Sequence, residues 1–204
     1  GGSAVSTLVS SGGLLSVANG GSALGVIQAV GGRLSAAIGN GQTAAVSGTN
    51  ESGSFYVSGN QASGVLLNSG AGLTISSGGI ASSTVVFNGG QERIVSGGSA
   101  FNDVIETGGV QTVFGLATSA RVAGSQSVSS GGSAVSTLVS SGGLLSVANG
   151  GSALGVIQAV GGRLSAAIGN GQTAAVSGTN ESGSFYVSGN QASGVLLNSG
   201  AGLT

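Results

Sequence analysis

Glycine doublets cut this chain into pieces too short for helices and too regular for loops. The clearest unit runs from Gly78 to Ser96 and reads GGIASSTVVFN, then GGQERIVS, eleven residues followed by eight. Ala81, Ser83 and Val85 sit at alternate positions in the first piece, and Glu92 and Ile94 in the second. Alternation at period two marks a half-buried strand. Two glycines in a row give the positive φ that lets a backbone turn without a Cβ clash. The unit therefore reads as one coil of a solenoid, with two strands and two glycine corners.

Self-similarity extends to two scales, and such periods are the signature of a repeat architecture. Residues 1–74 recur without change as residues 131–204, an offset of 130. Core positions tolerate conservative swaps, so perfect identity points to recent duplication or to engineering. The short period divides the 130-residue block into seven coils: 1–19, 20–38, 39–58, 59–77, 78–96, 97–114 and 115–130. Five keep to nineteen residues or within one of it. The third has twenty and reads poorly, and the seventh has sixteen. The expected whole is one solenoid over 1–204 of nearly eleven coils, about 50 Å long at ~4.8 Å per coil.

Stacking the regular coils produces columns of like residues. One holds Ala4, Ala23, Ala62, Ala81 and Ala100; four residues on comes Leu8, Ile27, Leu66, Val85 and Val104. Between them lie Ser6, Gly25, Gly64, Ser83 and Asn102. The second half aligns Leu15, Leu34, Leu73, Glu92 and Gln111, and then Val17, Ala36, Ile75, Ile94 and Val113. The apolar columns are assigned to the interior, and the intervening Ser, Thr, Asn and Gln mostly to solvent. The column Val9, Gln28, Leu67, Val86 and Ile105 is either a third short strand face or an apolar outer strip. One coil alone cannot offset the entropy of fixing its residues, whereas stacked coils share ladders and apolar faces with two neighbours.

Composition removes several classes. Of 204 residues 44 are Gly, with no Pro and no three-residue glycine period, which excludes collagen. A chain 40% hydrophobic with net charge −1 is the reverse of a disordered one. Four arginines and no lysine leave no basic patch for nucleic acid. Cys and His are absent, so thiol nucleophiles, imidazole bases and the usual zinc ligands are absent too. A single Asp excludes a calcium-binding nonapeptide roll. No P-loop pattern occurs, so the glycines are corners and not phosphate cradles. Neither a cofactor nor a metal site is expected.

The pattern SSGG-x-A-x-x-x-V-V-x-x-GG-x-x-x-x-V-S, as in Ser76 to Ser96 and Ser129 to Asn149, resembles the AIDA-type repeat of self-associating autotransporter adhesins of Gram-negative bacteria. The resemblance spans nearly the whole chain. It implies a right-handed parallel β-helix, a hand that also follows the bias of parallel crossovers. It implies a non-enzymatic stalk on the cell surface or outside the cell, acting in self-aggregation, biofilm formation and host attachment. The signal peptide and outer-membrane β-barrel of full-length relatives are not in this sequence. Some members are O-heptosylated by a dedicated heptosyltransferase, and outward serines beside glycine corners, Ser11, Ser77, Ser96 and Ser130, are the candidate acceptors here. Implied partners are copies of the chain itself, that transferase, and a host or matrix glycan.

Two further sets of residues are singled out. Phe55-Tyr56 and the copy Phe185-Tyr186 are the aromatic pairs; they either plug the irregular third coil or anchor a partner. With them, the irregular coils 39–58 and 115–130 form an alternative glycan- or receptor-binding module, and Thr49-Asn50-Glu51 reads as an insertion. Glu92, Arg93, Asp103 and Glu106 form a loose charged cluster, expected to be a solvated network with Arg93 as counter-ion. A lyase-like pair of carboxylates is the minor alternative.

Overall fold

The computed structural model describes residues 1–197 and 202–203, and every regular element in them is a strand. Parallel rungs stack into a β-solenoid. A regular rung has three strands, not two: Ile80–Ser82, Val85–Val86 and Gln91–Ile94 are followed by Ser99–Phe101, Val104–Ile105 and Val110–Val113. We call these the first, second and third faces. The third face contains nine strands among the described residues, so the turns number about nine rather than eleven.

The corner missed by the sequence reading lies between the first and second faces. Ser83, Asn102, Ser119 and Ser136 adopt φ of 55 to 58° there, and Gly25, Gly64 and Gly155 fill the same place in other rungs. A left-handed residue in a strand turns the chain and breaks its alternation. Ala81 therefore points inward before the corner, and Thr84 and Val86 after it. The column of Ser6, Gly25, Gly64, Ser83 and Asn102, whose polar members were expected at solvent, forms this corner, with Ser6, Ser83 and Asn102 exposed. One expectation is corrected: the column of Leu8, Ile27, Leu66, Val85 and Val104 is not an interior file, since Leu8 and Ile27 are 61% and 55% exposed, Val85 and Val104 are half-buried, and only Leu66 is fully covered. The interior file of the second face is Val9, Gln28, Leu67, Val86 and Ile105, all buried, which settles that column as a third strand face.

The other columns stack as expected. Ala81 pairs with Ala100, then Ala117, Ala134 and Ala153. Ile94 pairs with Val113, then Val128 and Val147. Small alanines on one face opposite larger aliphatics on the other two let a narrow tube fill without voids.

Coil 39–58 is not a coil. Ala45–Asn50 continues the first face in parallel after Ser22–Gln28, and Gly53–Ser58 turns back antiparallel before Gln61–Ser63 resumes the solenoid. The tip is a two-residue loop, Glu51-Ser52, held by Asn50: its Oδ1 accepts from the Ser52 amide at 2.9 Å and its Nδ2 donates to the Gly64 carbonyl at 2.9 Å. Val46 and Val57 extend the inward alanine column, between Ala23 and Ala62. The first face thus gains two strands while the third gains none, because Arg33–Ile38 pairs directly with Gly72–Ile75. That pairing sets Ala36 against Leu73 and Ile38 against Ile75, two residues out of the expected register of Leu34 with Leu73. The extra chain draws Ile38 into the core, where it is fully buried.

On the second face Gln28 bridges this interruption. Its Nε2 donates to the Gly32 and Leu66 carbonyls, each at 3.0 Å. The seventh coil, 115–130, is by contrast an ordinary rung. Its strands Leu116–Thr118, Arg121–Val122 and Ser125–Val128 pair on both sides. It is short because two corners are tightened, at Phe114-Gly115 and Ala123-Gly124. A Cβ at Gly115 would collide with the carbonyls of Gly98 and Val95.

Removing residues 39–58 joins Ile38 to Gly59 and restores the nineteen-residue spacing of Ala23 and Ala62. The deleted protein is expected to keep its β circular dichroism and melt cooperatively. Gly115→Ala is expected to lower stability by about 1–3 kcal/mol in denaturant titration, since its new methyl meets backbone on two sides.

Candidate functional site

The serines singled out from sequence share one local geometry. Ser11, Ser77, Ser96 and Ser130 are all exposed, and each precedes a corner glycine of positive φ: Gly12, Gly78, Gly97 and Gly131. The turn therefore lifts the serine to the apex. At Ser11, Ser77 and Ser130 the next rung sets a bare glycine beside the hydroxyl. A side chain at Gly31, Gly97 or Gly150 would lie 2.6 to 2.8 Å from the hydroxyl of Ser11, Ser77 or Ser130. Ser77 and Ser96 occupy successive rungs, since the Gly78 amide donates to the Gly97 carbonyl at 2.9 Å. Ser11 lies on a different edge, between the second and third faces.

The aromatic pair splits. Phe55 and Phe185 are 3% exposed and pack into the hairpin core, whereas Tyr56 and Tyr186 are 41% and 44% exposed on its outer side. Phe55 lies opposite Gly48, whose missing side chain would strike the backbone of Val26. Of each pair only the tyrosine can meet a partner from solvent.

The charged cluster is not a surface network. Glu92 and Asp103 are both 1% exposed. Arg93 points outward with its guanidinium carbon 4.5 Å from the Phe114 ring centre, and Glu106 is exposed. Glu92 occupies the column of Leu73, and Asp103 the inward position just after the first corner. Gln111 Nε2 donates to Glu92 Oε2 at 2.7 Å and to Asp103 Oδ2 at 3.0 Å. Gln111 Oε1 accepts from Gln126 Nε2 at 2.6 Å, and Gln126 Oε1 from the Thr137 hydroxyl at 3.3 Å. The Thr84 amide donates to Asp103 Oδ1 at 3.0 Å. This seam of polar groups runs inside the tube over several rungs.

Burial pushes the Glu92 carboxyl up, against the hydrogen bonds it accepts. Burial raises Asp103 well above the usual carboxylate range, and the neighbouring Glu92 charge raises it further. Two adjacent buried carboxyls without a cation disfavour being ionised together. Enclosure in the core leaves them no access to a substrate, so the lyase-like alternative is overturned.

This chain was compared with known proteins. Residues 47–92 match the family model described as "Adhesin of bacterial autotransporter system, probable stalk". A search of curated proteins returns no match. Among solved structures, the crystal structure of the TibC-catalysed hyper-glycosylated fragment of TibA is 31% identical. The alignment covers 98% of this chain and 77% of that one, with a TM-score of 0.58. The chain belongs to the AIDA-type autotransporter adhesins. Its three-faced tube is the stalk of that family, and a stalk of this family is an exported, surface-type structural element. The buried acid pair and the hairpin are features of this AIDA-type stalk that the repeat pattern did not reveal. The signals that could have located them were a polar residue in an otherwise aliphatic column, Glu92 and Gln111 under Leu73, and Gln28 under Val9.

The folded-state values of the two carboxyls lie above the unfolded ones, so folding takes up a proton. Their contribution is fully present below the ordinary carboxylate pKa, about 4, and is lost as pH rises through the raised values. Thermal melts are expected to give a higher Tm at pH 4.5 than at pH 8.5. Glu92→Gln, which keeps the shape and removes the charge, is expected to flatten that dependence and raise Tm at the alkaline end.

Proposed function

We propose that this chain is a glycosylated adhesive stalk whose corner serines, Ser11, Ser77, Ser96 and Ser130, accept sugars, and whose flanks associate with copies of itself. The observation that carries the first half is the shared apex geometry. An acceptor hydroxyl must protrude into a transferase; all four serines are exposed, and the glycine of the following rung leaves the apices of Ser11, Ser77 and Ser130 open. The TibA fragment was obtained in hyper-glycosylated form by TibC, and a heptosyltransferase of that kind is the partner this reading requires.

Lateral association is supported by the surface. Net charge is −1 over 204 residues, so long rods do not repel one another. Leu24, Ile27 and Val30 are 46%, 55% and 71% exposed, and their copies Leu154, Ile157 and Val160 recur with matching exposure. Repeated weak contacts along a rod add into avidity. Biofilm formation and host attachment are the outcomes such association serves, at the bacterial surface.

The test is co-expression with a heptosyltransferase, followed by intact-mass measurement and light scattering of bare and modified protein. Mass additions are expected on the wild type and are expected to fall by four sugar units in a protein with Ser11, Ser77, Ser96 and Ser130 all changed to Ala. Additions that persist undiminished would place the acceptors elsewhere. Absence of clustering in both forms would remove the self-association half.

A further inference from the structure

A concavity lies where the hairpin tip stands beside the corner between the second and third faces. It is a cavity of about 860 Å³ lined in part by Arg33, Glu51, Asn68, Phe87, Asn88 and Glu106. These residues come from widely spaced parts of the chain and meet because the corners of successive rungs and the hairpin tip converge. Glu51 comes from the hairpin tip, Asn68, Phe87, Asn88 and Glu106 from successive corners, and Arg33 from the start of a third-face strand.

The solenoid does not need the hairpin, because coils before and after it share one register within themselves. The hairpin costs the chain its regular pairing on two faces, and what it adds is one wall of this groove. Arg33 lies along the floor: its Nη2 donates to the Gly12 carbonyl at 2.8 Å, and its Nη1 would be 2.9 Å from a side chain at Gly70. Its Nε is buried without a hydrogen-bond partner among the described residues. Asn68 is fixed from below, its Nδ2 donating to the Gly32 carbonyl at 2.6 Å.

We infer that this groove binds a neutral oligosaccharide. Sugars present hydroxyls that both donate and accept, together with flat apolar C–H faces. The groove offers the complement: carboxylates that only accept, a guanidinium that only donates, amides that do both, and a half-buried aromatic ring with an electron-rich face. One Arg against two Glu leaves the groove net negative, which disfavours sialylated or sulfated chains and nucleic acid. An open groove also suits a chain of sugar units better than a compact metabolite, which would need enclosure. The inference stands apart from the glycosylation of the corner serines. The same neutral sugar chemistry is available from an outside glycan or from a glycosylated second copy.

The experiment is a binding screen of the whole chain, expressed bare, against neutral oligosaccharides of glucose, galactose, mannose and N-acetylglucosamine, with sialylated and sulfated members beside them. A second arm uses an enzymatically glycosylated copy of the chain as competitor. Binding of neutral members is expected, weakened at least tenfold by Phe87→Ala and by Glu106→Gln and abolished by deletion of 39–58, with melting curves showing each variant folded. Competition by the glycosylated copy would identify the stalk's own sugar as a ligand, and its failure to compete would identify an outside one; both retain the inference. Failure of every neutral member to bind, preference for the charged members, or binding that survives all three changes would overturn it.

Discussion

Everything in this molecule depends on the parallel ladder that locks each rung to the next. Once backbone N–H and C=O groups pair in register, a side chain cannot choose its environment alone. It inherits the face, and the depth, of the residue one rung below. Alanine thus falls on alanine along the first face and aliphatic on aliphatic along the others. Corners are subject to the same rule. Each stacks on its predecessor, so a corner can lose two residues, as at Gly115 and Gly124, only where bare glycine lets backbone approach backbone.

Two departures from uniformity sit inside this constraint and have the same chemical solution. Where the hairpin parts the rungs, Val26 and Ile27 still pair with Gly48 and Thr49, and beyond them the amide of Gln28 reaches across to the Leu66 carbonyl. Where carboxyls enter the core, the amides of Gln111 and Gln126 link them through consecutive rungs. A primary amide donates and accepts along one axis. In a tube whose rungs repeat at the spacing of a strand pair, it is the side chain that can extend a chain of hydrogen bonds without a charge.

Much of the fold was legible in the sequence because glycine doublets and columns report on backbone and burial separately. The third corner was not, because serine or asparagine in the left-handed region looks like an ordinary strand residue. Gly25 and Gly64 in the column of Ser83 were the trace of it. Missing that corner inverted the parity of Leu8 and Ile27 against Val9. The hairpin was visible only as a failed repeat, since its inward Val46 and Val57 satisfy the same period-two pattern as any rung. Direction along the chain leaves no mark on that pattern. The exposure of Ser11, Ser77, Ser96 and Ser130 follows from the corner glycines beside them. The acid pair was misplaced because charge was taken as evidence of solvent, and its column neighbours, which were already aligned, said otherwise.

The unequal strand count of the faces has a mechanical meaning. Two strands added to one side only, at about 4.8 Å each, make a boss on the flank, and the 130-residue repeat puts another at a fixed interval. In the lateral association proposed above, a shaft with such teeth would not glide freely along its twin. Neighbouring shafts would mesh at whole-period offsets, so overlap between two molecules would be counted in discrete steps, and a longer shaft would differ from a shorter one by the number of notches it can engage.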